Sequence, residues 1–186
     1  MKYMIDRGFT EETLKRFRIG YYTGYYTGER VIFPIMDENR RVVAEARRAI
    51  DEQQPKYMFF PHDRSAHNTE LFGLHIAIES GRKVVHLVEG FTDVMMMYQN
   101  GIENVVACMG MLQDAQIEKL RSHFEEVIVM FDNDLAGKAS AKKAVERLIE
   151  VGVKASLVSI TGEDKDPDAY IRNQGIDAFK ELIGQS

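Results

Sequence analysis

Val127-Ile128-Val129-Met130-Phe131-Asp132-Asn133-Asp134-Leu135-Ala136-Gly137 is an apolar run that ends abruptly on two aspartates and passes into a helix-length amphipathic segment. A short, continuously apolar, β-rich run followed by a turn and a helix is how a strand buried on both faces of a parallel sheet reads. The same pattern recurs on either side. Val84-Val85-His86-Leu87-Val88, Val105-Val106-Ala107-Cys108 and Ala155-Ser156-Leu157-Val158-Ser159-Ile160 are the other runs, with candidate helices near 92–99, 113–122 and 137–150. Parallel strands need crossover connections of this length, so the second half predicts a Rossmann-like, mostly parallel four-stranded sheet covered on both faces.

The first half reads differently. Thr10 is a candidate N-cap for a short helix carrying Leu14 and Phe17 on one face, with Thr13 in the place of the usual capping-box Glu. The Tyr21-Tyr22-Thr23-Gly24-Tyr25-Tyr26-Thr27-Gly28 stretch has strand and turn composition. Val31-Ile32-Phe33-Pro34-Ile35-Met36 and Arg41-Val42-Val43-Ala44-Glu45-Ala46 are strand-like runs split by the hairpin-like Asp37-Glu38-Asn39-Arg40. The expected organisation is a small α+β subdomain over 1–80, an α/β domain over 81–163, and a short helical segment over 164–186.

Composition narrows the function. The chain has 186 residues, a net charge of −5 and one cysteine, Cys108, which excludes an internal disulfide and leaves no Cys pair for zinc. Residues 1–80 balance 12 basic against 12 acidic side chains, whereas residues 81–186 carry 12 against 17. The acidic excess therefore lies wholly in the second half. No run approaches a membrane span and no signal-peptide pattern opens the chain, so a cytoplasmic location is expected.

The acids fall where an α/β sheet gathers ligands, beyond the carboxyl ends of its strands. Glu89 follows the first run in Val88-Glu89-Gly90-Phe91-Thr92-Asp93, Asp132 and Asp134 follow the third, and Asp164, Asp166 and Asp168 follow the fourth. A lone Asp at such a place is an ordinary helix cap. Crowded carboxylates repel, and a divalent cation relieves the repulsion, so the clusters point to Mg²⁺ (or Mn²⁺) held by oxygen for phosphoryl or nucleotidyl transfer. His62 and His67 make a poor zinc site, and Met95, Met96 and Met97 read as packing residues.

Glu89-Gly90-Phe91-Thr92-Asp93 followed by Asp132-Asn133-Asp134 with Ala136-Gly137 resembles the paired signature of TOPRIM domains. Arg7-Gly8-Phe9-Thr10, Phe17-Arg18-Ile19-Gly20-Tyr21, Arg30-Val31-Ile32-Phe33-Pro34-Ile35, Pro55-Lys56-Tyr57, Leu71-Phe72-Gly73-Leu74 and Asp166-Pro167-Asp168 are similar to segments of the bacterial DnaG-type DNA primase core. The resemblance implies primer synthesis on a single-stranded DNA template from nucleoside triphosphates, with a separate replicative helicase as a further partner. It implies that Glu89, Asp132, Asp134, Asp166 and Asp168 surround the metals, that Asp93 stands close by, and that Lys56 faces template or nucleotide. Arg47 and Arg48, in a stretch with Arg40 and Arg41, are candidate phosphate ligands because a guanidinium grips two oxygens at once. Asn133 replaces the family's glycine and can still adopt its turn. The family's zinc-binding module and its later helical and helicase-binding parts have no counterpart in these residues, which fits a stand-alone core. The same acids also suit a metal-dependent nuclease, and the fold alone suits a nucleic-acid-binding regulatory module.

Overall fold

The computed structural model describes residues 2–25, 28–61 and 65–184; Tyr26, Thr27 and His62 lie outside them. Two four-stranded sheets organise the chain. The first is an antiparallel meander of β1 (Gly20–Gly24), β2 (Gly28–Met36), β3 (Val42–Ala49) and β4 (Tyr57–Phe60) in that spatial order. Alternation decides its buried face: Val31, Phe33 and Ile35 of β2 and Ala44 and Ala46 of β3 all point into the core. The Asp37–Arg41 turn forms as expected, with the Asp37 carboxylate accepting the Asn39 and Arg41 N–H groups, each at 2.9 Å.

The second sheet is wholly parallel, in the order β6 (Val105–Ala107), β5 (Val84–Val88), β7 (Glu126–Val129), β8 (Lys154–Leu157). The crossovers are α5 (Phe91–Gln99), α6 (Asp114–His123) and α7 (Leu135–Glu150), each within a few residues of the stretch expected from periodicity. Because β6 lies on one side of β5 and β7 on the other, the connections diverge and open a crevice between the ends of β5 and β7. Glu89 and Asp132 follow those two strands.

The remaining helices are α1 (Lys2–Asp6), α2 (Glu11–Arg16), α3 (Ser65–Thr69), α4 (Leu74–Glu79), α8 (Pro167–Gln174) and α9 (Ile176–Leu182). Most of them close an apolar cluster shared by both sheets, while α4 also contributes Leu74 and Ala77 to a second cluster on the parallel sheet. Phe17 and Phe72 stack at 5.3 Å, Phe33 and Phe91 at 4.8 Å, and Phe72 meets Phe91 edge-on at 4.9 Å, so rings from both halves of the chain interlock. Phe72 also exchanges both backbone hydrogen bonds with Ala107, each at 3.0 Å, extending the β6 edge. Gly73 beside it has φ +85°, and a Cβ there would stand 2.9 Å from Val94 Cγ1 and 3.1 Å from the Val105 carbonyl oxygen. Met95, Met96 and Met97 are buried packing residues, as their sequence suggests.

The cap of α2 shows how the halves are stitched. Thr13 N–H donates to Thr10 Oγ1 at 3.2 Å, but Thr13 does not return the favour to the Thr10 N–H. Gln99 of α5 does so instead: its Oε1 accepts the Thr10 N–H at 2.7 Å while its Nε2 donates to the Gly8 carbonyl at 2.9 Å. A side chain ninety residues away thus completes a local motif.

Truncating Phe72 to Ala is expected to cost about 3–5 kcal/mol, measured by urea denaturation, with fluorescence and circular dichroism still reporting one coincident transition because the core is shared. His75 and His86 are buried and their imidazoles are pushed down to about 4, chiefly by loss of water. Unfolded histidine takes its proton near pH 6.5, so each contributes stability that is complete above about pH 6.5 and is lost as pH falls towards 4. In the His86→Leu variant the stability-versus-pH curve over that window should be flatter than in the parent.

Candidate active site

A cleft of about 300 Å³ opens at the crevice between the strand ends and is walled on its far side by the antiparallel sheet. Glu89, Gly90, Asp93, Asp132, Lys165 and Asp166 line one side, and Lys56, Tyr57 and Phe59 line the other. Acids from three strand ends therefore face a basic and aromatic wall from the first half of the chain.

The carboxylates are held in several ways. Glu89 Oε1 accepts the Asp132 backbone N–H at 3.1 Å, joining the two central loops. Burial raises the Glu89 carboxyl above the usual carboxylate range, and the nearby charges of Asp132 and Asp134 add to the rise. Asp132 Oδ2 lies 2.9 Å from the Lys165 ammonium. Asp134 caps α7, its Oδ1 accepting the Gly137 N–H at 2.7 Å, and Gly137 is required there because a Cβ would stand 2.2 Å from the Asp132 carbonyl oxygen. Asp166 caps α8 through the Ala169 N–H at 2.8 Å, and its carboxyl is also raised, first by burial and then by Asp168 and Asp132.

Asp93 and Asp168 are almost wholly buried, Asp93 still touching the cleft and Asp168 behind it. Asp93 Oδ2 accepts the Gly90 N–H and Oδ1 the Asp168 N–H, both at 3.1 Å, and desolvation followed by the charge of Asp166 drives its carboxyl well up, so burial favours the protonated acid. Asp168 is 1% exposed and gripped by Arg7 Nη2 at 2.6 Å and by Arg172 through Nε at 3.0 Å and Nη2 at 3.1 Å. Both its oxygens are engaged by guanidinium groups. The structure thus gathers Glu89, Asp132 and Asp166 on the cleft, sets Asp134 at its exposed rim, and withdraws Asp168 into a clamp.

Asn133 fixes the geometry of the whole. Its N–H donates to the Lys165 carbonyl at 2.7 Å, and its side-chain amide donates to the carbonyls of Gly162 and Asp164, each at 3.1 Å. The loop carrying Lys165 is locked to the loop carrying Asp132 and Asp134. Asp164, by contrast with the other acids, turns away to accept from Asn173 and Gln174 of α8 at 2.6 and 3.0 Å.

Arginine placement follows strand alternation. Arg48 pairs across β3 and β4 with Tyr57, on the cleft side, and bonds the Tyr3 hydroxyl. Arg47 points to the opposite face, packed over Tyr22 at 4.4 Å and Phe60 at 4.0 Å and hydrogen-bonded to Glu45 at 2.6 Å. Of the two arginines singled out from sequence, neither lines the cleft, and only Arg48 lies on its side of the sheet, beside cleft-lining Tyr57. Lys56 lines the cleft, and burial together with the charges of Arg48, Lys165 and Arg7 lowers its ammonium pKa. Sequence reasoning missed Lys165, Arg7 and His67. Lys165 is the sole cation within Glu163-Asp164-Lys165-Asp166, a visible signal; His67, whose Nε2 lies 3.0 Å from the carbonyl of cleft-lining Met109, gave none.

The donor set fits a hard divalent ion. Among the described residues no three His, Cys, Asp or Glu side chains converge closely enough to form a metal cage. Mg²⁺ needs none, since it takes one or two carboxylates and completes its shell with water and phosphate oxygen. Mutually repelling carboxyls, one of them already paired to a cation, are the environment such an ion relieves.

Comparison with known proteins finds relatives of this fold. Residues 86–171 match the family described as Toprim-like. A DNA primase of Clostridium acetobutylicum is 30% identical over 98% of this chain and 36% of its own length, and one of Legionella pneumophila is 36% identical over 84% and 28%. This chain spans about a third of such relatives. Among solved structures, the zinc-binding and RNA polymerase domains of Aquifex aeolicus primase superpose with TM-score 0.89 at 27% identity, covering 100% of this chain and 55% of that one. A DnaG primase catalytic domain bound to single-stranded DNA gives 0.83 at 26%, covering 99% and 72%.

The Asp168 clamp is open to a direct check. Arg7→Ala leaves a buried carboxylate short of a partner and should cost about 3 kcal/mol by urea denaturation. Adding Asp168→Asn should cost less than the sum of the two single changes, and strict additivity would show that the pair is not coupled.

Proposed function

Because this chain belongs to the bacterial DnaG-type primase family, with a Toprim-like domain at its centre, we propose that it synthesises short primers on single-stranded DNA from nucleoside triphosphates. The observation that carries the reading is the cleft itself, where the acidic ends of parallel strands face a cationic and aromatic wall. The three stretches divide the work. Residues 1–80 face template and nucleotide, 81–163 carry the reacting centre, and 164–186 brace it.

Glu89, Asp132 and Asp134 are the ligands of choice for the divalent cation on which the family depends, Mg²⁺ or Mn²⁺, with Asp166 at the edge of the same field. Two such cations held there would lower the pKa of the attacking 3′-hydroxyl, neutralise charge on the α-phosphate and keep the attacking and leaving oxygens in line as pyrophosphate departs. The chain supplies the rest. Lys56 and Arg48 hold phosphate oxygens from the opposite side, and Tyr57 and Phe59 offer flat apolar surface to a base. Glu89, raised by its buried position, accepts the proton of the attacking hydroxyl or shares the cation. Asp93 and Asp168 act by position, holding the entry to α5 against the first turn of α8. Arg47 is assigned to sheet packing. A replicative helicase is the partner that would deliver the template.

Incubation with single-stranded DNA, labelled nucleoside triphosphates and Mg²⁺ or Mn²⁺ should yield short template-dependent oligomers on a sequencing gel. Asp132→Ala should reduce them at least about 100-fold, with its circular dichroism spectrum unchanged. A shortened template without new oligomers would instead identify a nuclease, and full activity in the variant would remove Asp132 from the site.

A further inference from the structure

Resting on that reading, we propose that Lys165 is an exchangeable counter-ion. It neutralises Asp132 while the cleft is empty, and it moves onto the phosphates of the incoming nucleoside triphosphate when a divalent cation takes Asp132.

The two ends of the Lys165–Asp132 contact are unequal. The carboxylate side chain is only 19% exposed and sits on a loop whose Asp132 N–H is held by Glu89, whereas the lysine side chain is 61% exposed and reaches in from solvent to 2.9 Å. The backbone around the lysine is tied by hydrogen bonds on both sides. Asn133 binds the loop at Gly162, Asp164 and Lys165, and the Asp164 carboxylate ties it to Asn173 and Gln174 of α8. A flexible four-carbon stem therefore swings from a fixed root beside the cleft.

The chemistry of the cation matters as much as its reach. Asp168 is held by guanidinium groups that engage both its oxygens, a geometry suited to permanence. Asp132 has a lysine, a point charge with rotatable donors that passes readily from one oxygen anion to another. Its next partner is prefigured by Lys56 on the opposite wall, a second ammonium that lines the same cleft and has no carboxylate ion pair of its own among the described contacts. A triphosphate between Lys56 and Lys165 satisfies both. Exchange also couples the two ligands: the cation releases the ammonium that the nucleotide needs.

The test measures binding on the full chain, independently of primer synthesis. Mn²⁺ is titrated without nucleotide, and ATP is titrated at saturating Mn²⁺, for the parent, Lys165→Met and Lys165→Arg, with Asp132→Asn as a control for the metal site. Lys165→Met should tighten Mn²⁺ about 3- to 10-fold, because the competing charge is gone, and weaken ATP about 10-fold. Lys165→Arg should weaken Mn²⁺ about 3-fold, because a guanidinium gives up the Asp132 carboxylate less readily than an ammonium does. A loop that merely needs the Lys165 side chain for its shape would weaken both ligands in the Met variant, and that result, or no change in either titration, overturns the proposal. Where the parent shows no Mn²⁺ binding that Asp132→Asn removes, the nucleotidyl-transfer reading falls and this proposal with it; where it does show such binding, failure of the opposite-sign response defeats the counter-ion role alone.

Discussion

Like charges crowded at the ends of parallel strands are the constraint around which this molecule is built. Left uncompensated they would repel and take up protons, and the compensation takes several forms: Asp134 and Asp166 by helix N-termini, Asp93 by two backbone N–H groups, Asp168 by two guanidinium groups, Glu89 by the Asp132 N–H and Asp132 by a lysine. The kind of compensation sorts the acids by role. The two guanidinium groups on Asp168 engage both its oxygens and fix architecture, whereas the single N–H on Glu89 Oε1, the single N–H on Asp134 Oδ1 and the lysine on Asp132 leave carboxylate oxygen for a ligand.

The two sheets answer that constraint together. The parallel sheet delivers acids to a crevice, its own loops and helix ends compensate part of their charge, and further positive charge comes from the first half: Arg7 on Asp168 and Lys56 on the cleft wall. Such an arrangement needs the halves to be rigidly registered. Interlocked rings of Phe17, Phe33, Phe72 and Phe91 supply that register through apolar contact, and Gln99 supplies it through hydrogen bonds to Gly8 and Thr10.

The parallel sheet was legible in the sequence because buried parallel strands advertise themselves as apolar runs, and the strand-end acids followed from position alone. The Thr10 cap and the Asp37–Arg40 turn were legible for local reasons. Other features depended on distant partners. Nothing around Asp168 announces that Arg7, 161 positions earlier, will bury it, and the adjacency of Arg47 and Arg48 conceals that a strand sends them to opposite faces. The strand at Tyr57–Phe60 and the helices at Lys2–Asp6 and Leu74–Glu79 are too short for periodicity to reveal.

The Phe72–Ala107 exchange also bears on how the protein behaves in a crowded solution. It occupies hydrogen-bonding groups along the outer side of β6, so that margin of the parallel sheet is closed to a second chain. The opposite margin, β8, is only four residues long and begins with Lys154. A short margin with a charge at its start is a poor template for edge-to-edge growth, so the sheet resists recruiting further copies of itself at both ends.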